Sequence, residues 1–243
     1  MHGLHEFVCD QDVKQNVKQL YKEPNIANYD RVTEILSPFS GLSQIDPDVV
    51  RNAGNRGSVV HKIAESLVYH PFDLSRPGKF DMNDLIRAYA PTDKHFAKEI
   101  ALVKPMVESF EAWLKIIECM DDESFTVRKF LPKPDRFYDN ELMITGECDF
   151  IYEDHMGRLV LADLKTPTSE SSSWMLQGSA YSWLAKKAGY EIDIIEFVQL
   201  SRKGSSPKIY HYKEDFELFR SHLNVYRYQK SLNVDFDHTI DFL

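Results

Sequence analysis

Leu159-Val160-Leu161-Ala162-Asp163-Leu164-Lys165, preceded by Gly146-Glu147-Cys148-Asp149, is the stretch on which the reading of this chain turns. Leu159 to Ala162 is wholly apolar, as in a strand covered on both faces. Asp163 and Lys165 break that pattern two positions apart, and on a strand they share a face. A charge there is costly to bury unless it is paired or bound to a metal. Asp149 falls inside the preceding apolar run, Leu142 to Tyr152, which the pattern assigns to one partner strand. The loop Glu153-Asp154-His155-Met156-Gly157 joins the two as a hairpin. With Tyr152 opposite Arg158, Asp149 faces Leu161 and is the diagonal neighbour of Asp163, roughly 7–8 Å away at the backbone. Two carboxylates so placed reach one cation, and a slip of one residue would turn Asp149 to the other face. An Asp–Lys ion pair at a strand end is the plainer reading of the same spacing.

Outward from this hairpin the period changes on both sides. Upstream, Tyr29 to Leu36 opens a short helix, Ser37 to Gly41 turns, and Asp46-Pro47 has the form of an N-cap followed by proline in the first turn. Gly57 precedes an amphipathic helix with Val59, Val60, Ile63, Ala64, Leu67 and Val68 at helical spacing. Residues 71–91 are irregular. A long helix over Asp93 to Cys119 carries Ile100, Val103, Val107, Phe110, Trp113 and Ile117 on one stripe. Phe125 to Phe130 is a strand. Downstream, Trp174 to Ala188 is a helix ended by Gly189. Ile192 to Leu200 and Lys208 to Tyr212 form a hairpin around Arg202-Lys203-Gly204-Ser205, and Glu214 to Leu232 is a last helix. The order predicts an α/β fold with a mixed central β-sheet flanked by helices.

Composition narrows the function classes. Of 243 residues 43% are hydrophobic, enough for a sizeable core and no sign of disorder. No apolar run is long enough to cross a bilayer. Met1 to Glu6 has neither the charged nor the apolar region of a signal peptide, so the cytoplasm, or a host's cytoplasm for a phage protein, is the expected location. Cys9, Cys119 and Cys148 are scattered, which argues against a disulfide framework and against zinc or iron–sulfur sites. The net charge of -9 is unusual for a general nucleic-acid binder. Acidic residues at a metal centre, with bound cations and local basic patches, reconcile that charge with a polyanionic substrate.

Four motifs in order resemble the RecB-like exonuclease branch of the PD-(D/E)XK nuclease superfamily, in its phage-type form. Gly57-Ser58-Val59-Val60-His61 is similar to the branch's GxxxH motif at a helix start. Gly146 to Asp149 is similar to GxxD, Asp163-Leu164-Lys165-Thr166 to the D-x-K-T strand, and Gln177-Gly178-Ser179-Ala180-Tyr181 to QxxxY. The resemblance runs from about Tyr29 to Tyr212. It implies a restriction-endonuclease-like core and one nuclease domain over 1–243, with a helical region over 1–120 and a catalytic core over 121–232.

By position the resemblance makes Asp149 and Asp163 the central metal ligands, with His61 and the Leu164 carbonyl as further ligands. It makes Lys165 the catalytic lysine and turns Gln177 and Tyr181 toward DNA or the lysine. Carboxylate ligands with water suit Mg²⁺ or Mn²⁺. Glu65, one turn beyond His61, is a candidate to orient it, and Glu147 a lesser candidate ligand. Many relatives carry a glutamate on the strand before GxxD. Here Val127-Arg128-Lys129-Phe130 has no acid, which leaves a second, carboxylate-rich metal site without it. The implied activity is a metal-dependent exonuclease at DNA ends, with a leaning to single strands, in recombination, repair or replication. A structure-directed endonuclease and a non-cleaving module that binds DNA or protein are the alternatives. Arg56, Lys62, Arg128, Lys129, Lys133, Arg136, Lys186, Lys187, Arg202 and Lys203 are candidates for phosphate contacts. Trp174 and Phe137 are candidates for base stacking. A recombination or replication protein is a candidate partner.

Overall fold

β6 (Leu159–Lys165) is flanked on both edges and covered on both faces, and so all its interior positions are buried. The computed structural model describes residues 28–40, 45–69, 86, 89, 97–118 and 129–232. In it β6 runs antiparallel to β5 (Phe150–Glu153) and parallel to β7 (Ile194–Gln199). β2 (Lys129–Phe130) and β8 (Lys208–Tyr212) pair antiparallel at the two edges, giving the order β2-β5-β6-β7-β8. This is the mixed, helix-flanked sheet expected from the sequence. β1 (Asp30–Arg31), β3 (Phe137–Asp139) and β4 (Ile144–Gly146) form a second, three-stranded sheet in the order β1-β4-β3. A four-residue helix α1 (Val32–Ile35) follows β1, and Ser37–Phe39 makes the expected turn as one 3-10 segment.

The strand parity sorts the core into two layers. Val160, Ala162 and Leu164 pack with α2 (Pro47–Tyr69) and α3 (Ala97–Glu118), through side chains such as Val60, Ile63, Phe110 and Trp113. Leu161 and Ile151 pack on the other side with α4 (Ser173–Lys187) and α5 (Phe216–Ser231), through Ala180, Leu184 and Phe219. α4 is the crossover that parallel neighbours β6 and β7 require. It lies close to the sheet because Gly178 has no Cβ: one would stand 2.5 Å from Ile195 Cγ2.

Three sequence expectations change. The run Leu142 to Tyr152 is two strands in two sheets, not one. Met143 turns at φ 49° just before β4, and the chain breaks ladder at Glu147-Cys148-Asp149 before β5. β3, unread in the sequence, pairs with β4. Gly57 does not start a helix. α2 begins ten residues earlier at Pro47, where Asp46 Oδ1 accepts from the Asp48 N–H at 2.8 Å. The hairpin register is shifted by two: Tyr152 pairs with Val160 and Phe150 with Ala162. The Asp154 side chain causes this. It accepts from the Met156 and Arg158 N–H groups and holds the Arg158 guanidinium, closing a tighter turn with Gly157 at φ 74°. The strand expected over 125–130 is described at 129–130 only, and the irregular 71–91 stretch lies almost wholly outside the described residues.

One buried polar knot ties α3 to the sheet. Trp113, fully buried, donates its indole N–H to Glu196 Oε1 at 3.0 Å. Glu196, itself buried on β7, also accepts from Tyr152 Oη at 3.2 Å and meets His211 Nε2 at 2.9 Å. Trp113→Ala is expected to cost about 3–5 kcal/mol in urea unfolding, from lost volume. Trp113→Phe, which keeps a six-membered ring but leaves Glu196 Oε1 with Tyr152 Oη as its remaining donor, is expected to cost about 0.5–1.5 kcal/mol for the lost hydrogen bond. Equal losses in the two variants would contradict this division.

Candidate active site

Four segments far apart in sequence meet at one end of the five-stranded sheet. α2 supplies His61, the approach to β5 supplies Asp149, the end of β6 supplies Asp163 and Lys165, and α4 supplies Gln177 and Tyr181. The β5–β6 ladder ends at Phe150 and Ala162, so Asp149, one residue before β5, is placed by its side-chain contacts and not by strand register.

The contacts form two linked chains. Asp149 Oδ1 lies 2.6 Å from His61 Nδ1, and Asp149 Oδ2 accepts from the Leu164 N–H at 2.6 Å. Asp163 Oδ2 lies 2.6 Å from Lys165 Nζ. Lys165 Nζ donates to Gln177 Oε1 at 2.7 Å, and Gln177 Nε2 donates to Tyr181 Oη at 2.8 Å. The ammonium has only protons to give, so it fixes which end of the Gln177 amide faces it. Gln177 and Tyr181 stand one helical turn apart on the same face of α4. The ion pair expected as the plainer reading of Asp163 and Lys165 is therefore present, inside a larger network.

Burial and neighbouring charge set the protonation of the cluster. Burial pushes the Asp163 carboxyl up to about 6; Lys165 opposes this and Asp149 adds to it. For Asp149 burial also acts upward, but the His61 imidazole and the hydrogen bonds to it outweigh that and hold the carboxyl below its ordinary value. Burial alone would lower His61; the Asp149 carboxylate reverses the sign and raises it. Burial raises the Tyr181 phenol well above its ordinary value and the Cys148 thiol to about 12, so both are neutral at physiological pH.

The donor chemistry suits a hard divalent cation. The buried Asp163 carboxylate and the half-buried Asp149 carboxylate stand near the end of β6, with the His61 imidazole against Asp149. The Leu164 carbonyl points to the same side of β6 as its N–H, toward Asp149. Among the described residues, no three His, Cys, Asp or Glu side chains close around an ion as they stand. Asp149 spends its oxygens on His61 and Leu164, and Asp163 is drawn to Lys165. The fit is one of donor type and burial.

Several candidates lie elsewhere. Trp174 and Phe137 are buried, so neither presents a face to a base. Trp174 instead stacks on Phe197, with ring centroids 5.9 Å apart. Glu65 is exposed, and the orienting partner of His61 is Asp149. Glu147 is exposed and paired with Arg136 at 3.0 Å, outside the cluster. Of the basic candidates, Arg56 is buried, while Lys186 and Lys187 pair with Glu191 and Glu141. Arg128 and the Lys129 side chain lie outside the described residues. One contributor was not read in the sequence. Phe197, paired with Asp163 across the parallel β6–β7 ladder, sets its ring 4.7 Å from Lys165 Nζ. Its position depends on a tertiary register that no local pattern carries.

No curated protein sequence matches the chain. Two solved structures are similar in outline. The protein SSO0001 is 13% identical, with 92% of this chain and 84% of that one covered and a TM-score of 0.36. A protein of Eubacterium rectale, provisionally described as an exonuclease, is 10% identical, with 97% and 87% covered and a TM-score of 0.39. Among the described residues, no helix is long and apolar enough to cross a membrane. The family comparison carries the assignment. Residues 38–230 match the sequence profile of the PD-(D/E)XK nuclease superfamily, a span that holds all four motifs of the cluster. The chain belongs to the PD-(D/E)XK nuclease superfamily.

Proposed function

We propose that this chain is a Mg²⁺- or Mn²⁺-dependent deoxyribonuclease, an exonuclease that hydrolyses phosphodiester bonds at DNA ends. The observation that carries the nuclease reading is that two chains of contacts, His61–Asp149–Leu164 N–H and Asp163–Lys165–Gln177–Tyr181, meet at the end of β6. Proteins of this superfamily generally use divalent metals and act on DNA. The exonuclease mode rests on the similarity of the Val32 to His61 segment to phage-type members. A single nuclease domain, helical to residue 120 and sheet-bearing from 121 to 232, goes with the same proposal.

Asp149, Asp163, His61 and the Leu164 carbonyl would hold the cation. The chemistry supplied by such an ion is activation of water and relief of charge on the phosphodiester. The side chains do the rest. Lys165 holds a fixed positive charge at the mouth of the carboxylate pair, where it can orient the attacking oxygen or offset charge building on the phosphoryl group. Gln177 fixes the direction of the ammonium, and Tyr181 fixes Gln177. Phe197 and Trp174 wall the lysine from water on one side.

The test is a cleavage assay on end-labelled linear and on circular DNA, single- and double-stranded. The expected result is loss of linear substrate only, with Mg²⁺ or Mn²⁺ present and not after EDTA. Cutting of circular DNA would make it an endonuclease, and intact DNA under both metals would end the nuclease reading.

A further inference from the structure

The strand directions collect separate basic segments at the end of the sheet that carries the cluster. β5 starts there at Phe150, just after Asp149, and β6 ends there at Lys165. β2 runs against β5, so the turn after it, residues 131–136, lies at the same end. β7 is parallel to β6, so the tip of the β7–β8 hairpin, residues 200–207, lies there too. Lys133 and Arg136 thus stand on the β2 side of the carboxylates, and Arg202 and Lys203 on the β8 side. The opposite end of the sheet holds Glu153, Asp154, Asp193, Glu214 and Asp215 together with Arg158, bound to Asp154, and Lys213. Arg136 is paired with Glu147 and the Gly204 tip lies against Glu108, so Lys133 and Lys203 are the flank cations on which a polyanion's path would depend.

Both flanks are fastened. On the β2 side, Leu131 N–H donates to the Ile151 carbonyl at 2.8 Å, and Tyr190 Oη donates to the Pro132 carbonyl at 2.6 Å. On the β8 side, Ser201 N–H donates to the buried Ser109 Oγ on α3 at 3.0 Å. Ser201 Oγ meets Ser205 Oγ at 2.8 Å and accepts from the Lys203 N–H at 3.1 Å, which closes the tip. Gly204, at φ 69°, lets the tip lie against α3, where a Cβ would stand 2.5 Å from Glu108 Oε2.

We propose that these two flanks hold the backbone phosphates of one nucleic-acid strand, which crosses the end of the sheet at right angles to the β-strands. The identity of the polyanion rests on the nuclease reading. Five strands spaced about 4.8 Å apart make this path about 19 Å wide. The middle of the path falls over β6, which ends in Asp163 and Lys165, so the phosphate between the two flanks lies at the site. Contacts on both sides of the cut register the strand without reading its sequence.

The test is binding of a fluorescein-labelled single-stranded oligonucleotide, followed by anisotropy over a series of KCl concentrations without added metal. The variants are Lys133→Ala, Lys203→Ala, both together, and Lys213→Ala at the far end of the sheet. Each flank substitution is expected to lower the slope of log Kd against log salt by about 0.7, additively in the pair. Lys213→Ala is expected to leave the slope at the wild-type value. Wild-type slopes in the flank variants, an equal drop in Lys213→Ala, or no binding at all would overturn the strand path. An oligonucleotide that binds with the expected slopes but stays uncut under Mg²⁺ and Mn²⁺ would instead remove the nuclease reading and leave the path standing.

Discussion

Lys165→Met is expected to lower kcat on DNA by about 10²–10³-fold while the chain stays folded and keeps its metal affinity. The size follows from removing one preorganised charge aimed at the reacting phosphoryl group, worth about 2.7–4 kcal/mol in the transition state. Methionine keeps the apolar stem against Phe197 and Trp174 and removes only the ammonium, which lies 2.6 Å from Asp163 Oδ2 and 2.7 Å from Gln177 Oε1. Metal binding and chemistry separate in a thermal-shift measurement. A ligand at 100 times its Kd stabilises the fold by about 2.7 kcal/mol. Wild type and Lys165→Met are expected to share a Mn²⁺-dependent rise in Tm, and Asp163→Asn to lose it together with activity. Full activity in Lys165→Met would remove the lysine from the proposed mechanism. A Mn²⁺ shift that survives in Asp163→Asn would move the metal away from β6.

These variants could be chosen from the sequence because the features that carry them are local. The apolar run of β6 with Asp163 and Lys165 at its end is a strand pattern, and the helical periods of α2, α3, α4 and α5 place His61, Gln177 and Tyr181 on their elements. What failed to show was decided by contacts between elements. The split between β4 and β5 follows from a second sheet that recruits Ile144–Gly146 through β1 and β3, two and three residues long. Strands that short leave almost no period to read. The hairpin register turned on one side chain, Asp154, whose hydrogen bonds shortened the turn. Asp149 itself stands outside that register, because the ladder ends at Phe150, and its contacts with His61 and the Leu164 N–H fix its place. Trp174 and Phe137 show the same limit: an aromatic residue near a site suits the wall and the ligand equally, and only their burial, for Trp174 against Phe197, decides for the wall.

The glycine of the GxxD motif offers a test of whether the network itself matters, apart from its charges. Gly146 is buried at the end of β4, and a Cβ there would stand 2.6 Å from Tyr181 Cε1 and 3.2 Å from Leu184 Cδ1. The contact with Tyr181 is below any that a real Cβ makes, the one with Leu184 is only tight, and Tyr181 is held between the core and Gln177. Gly146→Ala must therefore displace the tyrosine ring, and overpacking of this kind costs about 1–3 kcal/mol of stability. The displaced hydroxyl no longer fixes Gln177, and Gln177 no longer fixes Lys165. The expected result is a fall in kcat of about tenfold or more, from a substitution that alters no ionisable group and no proposed ligand. Coupling to the tyrosine is what separates this from general damage. Tyr181→Phe should lower kcat in the wild-type background but add almost nothing once Gly146→Ala is present, because residues acting through one contact are not additive. Independent, multiplying losses would mean that Gly146 acts on the β4–β5 backbone near Asp149, and that the Gln177–Tyr181 pair is not how α4 controls the lysine.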